Sequence, residues 1–577
     1  MFDDFVDQIT IFSKKNNGKS SSVRYPTRLL RLALSLSNKP SSYRIVDRHT
    51  SLPSWRQIQN YKAGEKHKGG KCITPYLKII ESLQNKEPIM GQLIQDGFKL
   101  VNGLTWDKSG NIVAFEEITS FDVLKYSTCN DKKLISNVSQ WSFRLINSRD
   151  HYILNHFFHA KEPTGETLIS EFLYNTRNLT MILLYVVCIV MDAGGGNSSF
   201  FRSLLYGSKK VPNDIWLKDE DVVFNHPFLE NIKISCSFCF VHSLKAHRNA
   251  LLSDKRHLMI SNLKITWEVI KWLFEIDSNI IMQGGVGNSE LTRDMVNPDS
   301  FNKMNVENCK RVFSERTICA GILLCETLLN LKIPDELMTL SLIEKIDYLS
   351  SFEWISDQLN PLPTLRYMCY INILYNQFAI NSELFVTSEN YEELYDMCKK
   401  IFVDYFGVWK TNAYYKNFLS SQTFFNMRLA FAGFFHLCKV QIDRDNDSRI
   451  SISKGNQSVE ELIFCTMRGE NNYHDVTPDN YNSTIGTMAT NYCNILADPK
   501  LLKYSNTYNP DHVNGDQNRI NSNKCLVKNK TIKKVNSIRN KAIKPLKEVL
   551  IQNFEFINSL KPPGNTSTIL IFLTIYI

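Results

Sequence analysis

The sequence predicts a mixed α/β fold joined to a large all-α region. Two observations indicate the sheet: the apolar run VVCIVMD (186–192) is typical of a strand buried on both faces, and shorter strand-like runs precede it. A third observation indicates the all-α region, since residues 255–450 carry long helical patterns and few strand signals. With 577 residues, the chain is expected to form about two to four domains.

The N-terminal region predicts a small helical module. Residues 1–22 are polar and rich in Ser and Lys, which favours disorder. Residues 26–37 are apolar at helical spacing and begin with Pro. LPS (52–54) is a capping sequence before a helix that contains Trp55 and Ile58. The helices of this module either serve only to dock against another part of the protein or recognise DNA.

Strand signals begin near residue 90. GQLIQDGFKL (91–100) and NIVAFEEI (111–118) are predicted strands, joined by the turn sequence TWDKSG. A third strand is expected near WSFRLI (141–146) or YILNHFF (152–158). The hairpin, helix and buried-strand order that follows predicts a mixed sheet with helical cover.

The remaining elements of the sheet region alternate between helix and strand. Residues 164–180 predict a helix, and the buried strand 186–192 follows it. A helix is expected from Ser198, and another strand near IKISCSFCFV (232–241).

Long helical patterns then dominate. They occupy residues 265–276, 309–331 and 427–442, and a polar loop (446–458) leads to a last helix that carries Glu461.

Composition narrows the classes of function. The net charge of +9 permits a nucleic-acid partner without demonstrating one. No membrane span is expected, because the run from Met181 to Met191 has eleven residues and a span needs about twenty. The spacing Cys236-x-x-Cys239 followed by His242 is compatible with zinc, but no second ligand pair accompanies it, so buried strand thiols are favoured.

A basic run lies near the C-terminus. Residues 524–547 contain nine Lys or Arg and no acids. The run is a solvated tail, a phosphate-binding arm or a nuclear import signal, and the last of these would place the protein in the nucleus.

Three carboxylates are the candidate catalytic groups. Asp96 lies in a predicted strand, Asp192 ends the buried strand, and Glu461 lies on the last helix. Strand ends are rigid platforms for ligands in α/β sheets. Carboxylates that converge on two Mg²⁺ ions support phosphoryl chemistry. Each residue alone has an ordinary alternative. Asp96 would then be a solvated strand residue, Asp192 would belong to a turn that caps a helix, and Glu461, which adjoins Glu460, would be a surface residue.

Six segments, taken in order, resemble the P-element family of DNA transposases, which includes the THAP-domain transposase-like proteins. The resemblance covers roughly residues 25–505, and the segments are LPSWRQIQNYKAG, DGFKLVNGLTWDKSGNIVAFEE, VVCIVMDAGGGNSSFFRSLL, HSLKAHRN (242–249), LTRDMVNPDSFNKMNVENCKRVFSE and QSVEELIFCTMRGENN.

The resemblance implies an RNase H-like mixed sheet split by a large helical insertion, with a small N-terminal helical module. The implied divisions are a disordered N-terminus (1–22), a helix-turn-helix-like module (23–70), the first part of the RNase H-like catalytic domain (85–255), a GTP-binding-like helical insertion (256–450), the final helical part of the RNase H-like domain (451–505) and a basic, mostly disordered tail (506–577).

The resemblance also implies the site. Asp96, Asp192 and Glu461 match the metal-binding and catalytic acids, which would hold Mg²⁺ or Mn²⁺. Asn197 matches the family's asparagine after the second aspartate. The implied partners are transposon ends and target DNA, and the implied assembly is a homo-oligomer.

Other residues of the resembling segments have candidate roles. Lys245, Arg248 and Arg468 are candidates for contacts with DNA phosphates, and ion pairing with nearby acids is the alternative. Lys303 and Asn305 are candidates for GTP binding, and solvated surface residues are the alternative.

Departures from the family pattern leave a second function open. No cysteine precedes Cys72, so the family's N-terminal zinc finger is missing. Gly97, Ala193 and Cys239 replace residues usual in the family. The chain is therefore either a DNA transposase acting by metal-dependent cleavage and strand transfer, or a domesticated, catalytically inactive DNA-binding protein with the same fold.

Overall fold

The structure is a computed structural model that describes most of residues 69–488. The described residues are 25, 29–30, 33, 43–45, 52–58, 69–82, 88–101, 134–148, 150–253, 255–282, 287–299, 302–354, 360–381, 383–457, 460–461, 463–464, 467–468, 476–482, 484–486 and 488. The expectations for residues 1–22, for the strand 111–118 and for the tail 506–577 lie outside them.

A six-stranded mixed sheet forms the centre of the molecule, in the order β3-β2-β1-β4-β6-β5. Its strands are β1 (Ile89–Lys99), β2 (Asn137–Leu145), β3 (His151–His159), β4 (Leu184–Met191), β5 (Val223–Asn225) and β6 (Lys233–Phe238). The strands β1, β4 and β6 run parallel to one another, whereas β2, β3 and β5 are antiparallel to their neighbours. The apolar β4 lies between β1 and β6, which explains its burial on both faces.

The strand predictions for 91–100, 186–192 and 232–241 are confirmed. The two candidates for a third strand are both strands, β2 and β3, because an antiparallel pair covers this flank of β1.

In the described residues before 255, the helices that accompany the sheet are α1 (Thr74–Ser82), α2 (Gly165–Met181), α3 (Gly195–Tyr206) and α4 (Phe240–Leu252). The predicted helix 164–180 is confirmed as α2, capped by the Thr164 hydroxyl. The helix expected from Ser198 starts earlier, at Gly195, because the Gly194 backbone is the N-cap.

The region after residue 255 is mainly helical, as predicted. Its helices are α5 (Glu268–Met282), α6 (Arg293–Val296), α7 (Val306–Val312), α8 (Glu315–Leu328), α9 (Leu342–Ser350), α10 (Leu362–Ile371), α11 (Tyr391–Ile401), α12 (Val408–Asn412) and α13 (Ser421–Arg444). Wider π-helical turns continue α10 through Asn372–Ala379 and α11 through Phe402–Gly407. The pattern over 309–331 is divided between α7 and α8 because Ser314 caps a new helix.

Four short strands accompany these helices. They form two antiparallel pairs, β7 (Met259–Ile260) with β8 (Leu263–Lys264) and β9 (Phe385–Val386) with β10 (Ile450–Ser451).

Helix α13 is central to the packing between the helical region and the sheet. It lies against β6, and a Cβ atom on Gly433 would come within 1.9 Å of the Cys236 carbonyl oxygen. A larger side chain at Gly433 would therefore force the helix away from the sheet.

Two smaller apolar clusters lie beside the main core. Near the N-terminus, Tyr43 packs with Leu29 and Ile58 and donates a hydrogen bond to the Pro53 carbonyl at 2.6 Å. The helical residues after 460 form the other cluster, in which Phe464 packs against Phe98 of β1. Among the helices in the described ranges, none combines the length and apolar character needed to cross a bilayer.

Candidate active site

Asp96 and Asp192 follow directly opposed residues of two parallel strands. Gln95 of β1 pairs with Met191, the last residue of β4, so Asp192 comes directly after β4. Asp96 remains within β1 and pairs with Gln140 of β2. Asp96 is 6 % exposed, and its Oδ1 accepts a hydrogen bond from the Gly97 amide at 2.7 Å. The sheet thus fixes the backbone of both carboxylates.

The start of α3 orients the Asp192 carboxylate. Its Oδ1 accepts hydrogen bonds from the Gly194 amide at 3.0 Å and from the side-chain amide of Asn197. A Cβ atom on Gly194 would lie 3.1 Å from Asp192 Oδ1, so the small residue permits this close turn. The AGGGN sequence after the strand therefore holds the carboxylate at the carboxyl end of β4.

Glu461 and its neighbour Glu460 point to different surroundings. The Glu460 side chain is fully buried, and its Oε1 lies 3.2 Å from His151 Nε2. The Glu461 side chain is 33 % exposed, and its Oε1 lies 3.7 Å from His242 Nε2 and 3.8 Å from Lys245 Nζ, both on α4. Glu461 is therefore the member of the pair that is available to a ligand.

The three candidate carboxylates interact electrostatically. The pKa of Asp96 is raised well above its usual range, first by burial, then by the negative charge of Asp192 and then by that of Glu461. The fold thus brings together carboxylates that are far apart in the sequence. A divalent cation would stabilise such a set by offsetting the repulsion.

His242, Lys245 and Cys239 border the carboxylates. Burial lowers the pKa of His242, the Lys245 ammonium lowers it further, and the carboxylates of Glu461 and Asp192 oppose the shift. Burial, followed by the charge of Glu461, raises the pKa of the Cys239 thiol to about 12. Cys239 is thus a neutral thiol, as is the buried Cys236, for which burial also raises the pKa.

The segment before Glu461 is fastened to β1 and β2. We call residues 452–457 the latch segment. Arg144 of β2 donates to the Lys454 carbonyl at 2.6 Å, and Lys454 Nζ donates back to the Leu145 carbonyl at 2.7 Å. The Gln457 side-chain amide donates to the Gln95 carbonyl, next to Asp96. Sequence reasoning did not identify these residues, because their pairing depends on contacts across the fold.

Gly455 lets the latch segment lie directly on α4. A Cβ atom at this position would come within 2.2 Å of the Phe240 ring. The latch segment thus touches the helix that carries His242 and Lys245, as well as the strand that carries Asp96. The Glu461 amide then donates to the Gln457 carbonyl at 3.1 Å, which starts the last helix directly after the latch segment.

The three basic residues predicted to contact DNA each have a partner within the protein. Lys245 is largely buried beside Glu461, and the Arg468 guanidinium lies 4.8 Å from the centre of the Phe98 ring. Arg248 is 1 % exposed and donates to the backbone carbonyls of Asn302 and Lys303. In this structure Arg248 supports the chain before α7 and is not presented to a ligand.

Lys303 and Asn305 lie just before α7. Asn305 is the N-cap, and its side-chain oxygen accepts from the Glu307 amide at 2.9 Å and the Asn308 amide at 3.3 Å. This carbonyl is therefore engaged in capping. The Lys303 side chain is exposed.

The donor chemistry of the three carboxylates fits Mg²⁺ or Mn²⁺, which prefer oxygen ligands. Within the described part of the chain, no three His, Cys, Asp or Glu side chains converge closely enough to enclose a metal ion in this conformation. The contacts of Glu461 with His242 and Lys245 are longer than hydrogen bonds. Glu461 is thus the least tightly held of the three carboxylates, since hydrogen bonds hold Asp96 and Asp192.

Comparison with known proteins relates the fold to a transposase. No protein-family model matches the sequence, and no curated protein sequence matches it. Among solved structures, the Drosophila P element transposase strand transfer complex is similar, with a TM-score of 0.60 and 18 % sequence identity. The match covers 86 % of this chain and 96 % of that one. The chain therefore has a P-element-transposase-like fold.

Proposed function

We propose that this chain is a P-element-type DNA transposase that cleaves and joins phosphodiester bonds at an Asp-Asp-Glu site. The observation that carries the proposal is the convergence of Asp96, Asp192 and Glu461 on one edge of the sheet, where each carboxylate adds to the charge around Asp96. The shared fold with the Drosophila transposase, solved as a strand transfer complex, supports DNA as the substrate.

The topology supports an RNase H-like interpretation of the catalytic region. An antiparallel β1-β2-β3 unit continues into the parallel strands β4 and β6, and the two aspartates lie on the adjacent strands β1 and β4. The helices α5 to α13, which lie within residues 256–450, then correspond to the proposed insertion, which accounts for the long stretch of sequence before Glu461.

In the proposed reaction, Asp96, Asp192 and Glu461 would hold Mg²⁺. The bound ions would activate the attacking oxygen and stabilise the leaving oxygen. In the first step, water attacks the phosphorus at a transposon end, the P–O3′ bond breaks, and a 3′-hydroxyl is released. In the second step, this hydroxyl attacks a phosphodiester of target DNA, and the target's own 3′-oxygen leaves. Asn197 and the Gly194 amide would keep Asp192 oriented throughout.

A second candidate is a domesticated DNA-binding protein that has lost catalysis. The observation that favours it is the position of Lys245, whose ammonium lies 3.8 Å from Glu461. In an inactive protein this contact would persist as a structural ion pair. In an active one, Glu461 would exchange it for metal.

Nicking of supercoiled plasmid separates the two candidates. The purified chain is incubated with plasmid in Mg²⁺, in Mn²⁺ or in EDTA. The transposase proposal expects nicking that requires a divalent ion and is lost in Asp192→Asn. DNA binding without nicking in either metal would favour the inactive protein.

Further assignments belong to the same proposal. GTP binding in the helical insertion, through Lys303 and Asn305, would be tested by equilibrium dialysis with GTP. A helix-turn-helix role for residues 23–70 and assembly as a homo-oligomer on DNA would be tested by footprinting and light scattering. Localisation in the nucleus would be tested by imaging the chain with and without residues 524–547.

A further inference from the structure

Two neighbouring tyrosines project from the surface of the helical region. Tyr414 is 81 % exposed and Tyr415 is 76 % exposed, in the segment that connects α12 to α13. We call residues 413–419 the tyrosine turn. Large aromatic rings usually bury most of their surface, so two adjacent exposed rings indicate a contact surface.

The backbone of the tyrosine turn is rigidly held. The Asn417 amide donates to the Tyr414 carbonyl at 2.8 Å, and the Asn417 carbonyl accepts from the Met259 amide at 3.0 Å. Arg256 Nη1 donates to the carbonyls of Tyr415 and Phe418 at 3.0 and 3.1 Å. Because the backbone is fixed, a ligand that stacks on the rings would lose little affinity to ordering of the loop.

Three cations accompany the rings. Lys416 Nζ lies 5.8 Å from the centre of the Tyr415 ring, Arg256 holds the turn, and Lys255 precedes Arg256 in the sequence. None of these three cations forms an ion pair with a carboxylate of a described residue. Their charge is therefore available to a polyanion.

The tyrosine turn is linked to the candidate site through α13. This helix begins shortly after the turn, and its Gln422 donates to the Ser198 hydroxyl of α3 at 2.5 Å. Ser198 follows Asn197, the residue that donates to Asp192. The start of α13 thus connects the tyrosine turn with the residues that orient Asp192.

We propose that the tyrosine turn binds an unpaired segment of DNA strand next to the reacting phosphodiester. The bases stack on Tyr414 and Tyr415, and Lys255, Arg256 and Lys416 contact the phosphates. The choice of DNA as the polyanion rests on the proposed function. The choice of an unpaired segment rests on the two exposed rings, since a duplex offers no free base faces along its length.

The test measures binding of a fluorescent single-stranded oligonucleotide, without metal, by anisotropy. The double variant Tyr414→Ala/Tyr415→Ala should bind about 30-fold more weakly, the factor that about 1 kcal/mol from each stacked ring gives. Tyr414→Phe/Tyr415→Phe should bind like the parent chain, because stacking needs the ring and not the hydroxyl. Phe228→Ala, which removes a 43 % exposed ring before β6, is the matched control and should change nothing.

A salt titration tests the cations separately. Lys255→Gln/Lys416→Gln should reduce the slope of log K against log salt by about 1.4, since each phosphate contact on a single strand contributes about 0.7. The proposal is overturned if the alanine double variant binds unchanged, if the phenylalanine variant loses as much affinity as the alanine variant, or if the parent chain does not bind the oligonucleotide. Metal-dependent plasmid nicking tests the proposed function independently of this surface. If the parent chain nicks plasmid but the alanine double variant binds the oligonucleotide as the parent does, the role of the tyrosine turn is refuted and the proposed function stands.

Discussion

Glu460 and Glu461 allow a sharp test, because the structure assigns adjacent, chemically identical residues to opposite roles. Glu460→Gln removes a buried carboxylate that contacts His151 at 3.2 Å. Burial lowers the pKa of His151, so the imidazole is neutral at pH 7. The Gln side chain can still accept from His151, but its NH2 group replaces a buried oxygen that has no hydrogen-bond partner among the described residues. A buried donor without an acceptor should lower the free energy of unfolding by about 2 kcal/mol.

Glu461→Gln should behave in the opposite way. The side chain is 33 % exposed and its ion-pair contacts are 3.7 and 3.8 Å, so its loss should change the free energy of unfolding by less than about 1 kcal/mol. Loss of a proposed metal ligand should instead reduce cleavage at least about a thousandfold, whereas Glu460→Gln, which changes only the residue beside the proposed ligand, should cost no more than about a hundredfold.

The assays are urea unfolding followed by circular dichroism, and plasmid nicking in Mg²⁺ at a temperature where both variants are folded. The expected result is a crossed pattern, with stability lost in Glu460→Gln and cleavage lost in Glu461→Gln. If Glu461→Gln kept full cleavage, or if Glu460→Gln reduced cleavage by the larger factor, the assignment of Glu461 to the site would be refuted.

Three further predictions follow from particular contacts. Asp192→Asn should abolish nicking and leave the circular dichroism spectrum intact, because Asn can still accept from the Gly194 amide; retained nicking would contradict the site. Burial lowers the pKa of His247 to about 3, so below pH 6.5 only the unfolded chain binds a proton at this residue, and the free energy of unfolding falls with pH. His247→Gln should reduce this fall between pH 6.5 and 5 by up to about 1.4 kcal/mol per pH unit. An unchanged dependence of the unfolding free energy on pH would contradict this role of His247. Gly433→Ala should lower the free energy of unfolding, measured in urea, by about 3 kcal/mol. The control Gly195→Ala, at a position with open space around it, should change the free energy of unfolding by less than about 1 kcal/mol. Equal effects would show that α13 does not approach β6 so closely.

The sequence was most informative where a local pattern determines the structure. The apolar run VVCIVMD predicted β4 because a continuous run of β-branched residues suits burial on both faces. The pattern over residues 164–180 predicted α2, for which the structure shows Thr164 as the N-cap. The resemblance to the P-element family selected Asn197, and in the structure its side chain is hydrogen-bonded to Asp192.

Contacts between distant segments were not predictable in the same way. Nothing in the sequence near Arg144 indicates that it binds the carbonyl of Lys454, because side-chain pairing across the sheet depends on the complete fold. Arg248 was a candidate for DNA contact through its motif alone, whereas its guanidinium holds the chain at Asn302. The exposure of Tyr414 likewise follows from the packing of α12 and α13 and not from the local sequence.

The most direct test of the central claim is the location of Mn²⁺ bound to the protein. Crystals soaked in Mn²⁺ would be measured at a wavelength where manganese scatters anomalously. The account predicts anomalous peaks in contact with the carboxylates of Asp96, Asp192 and Glu461, with Lys245 displaced from Glu461, and no such peaks in Asp192→Asn. A saturating soak that leaves these three carboxylates without a peak, with Lys245 still beside Glu461, would contradict it.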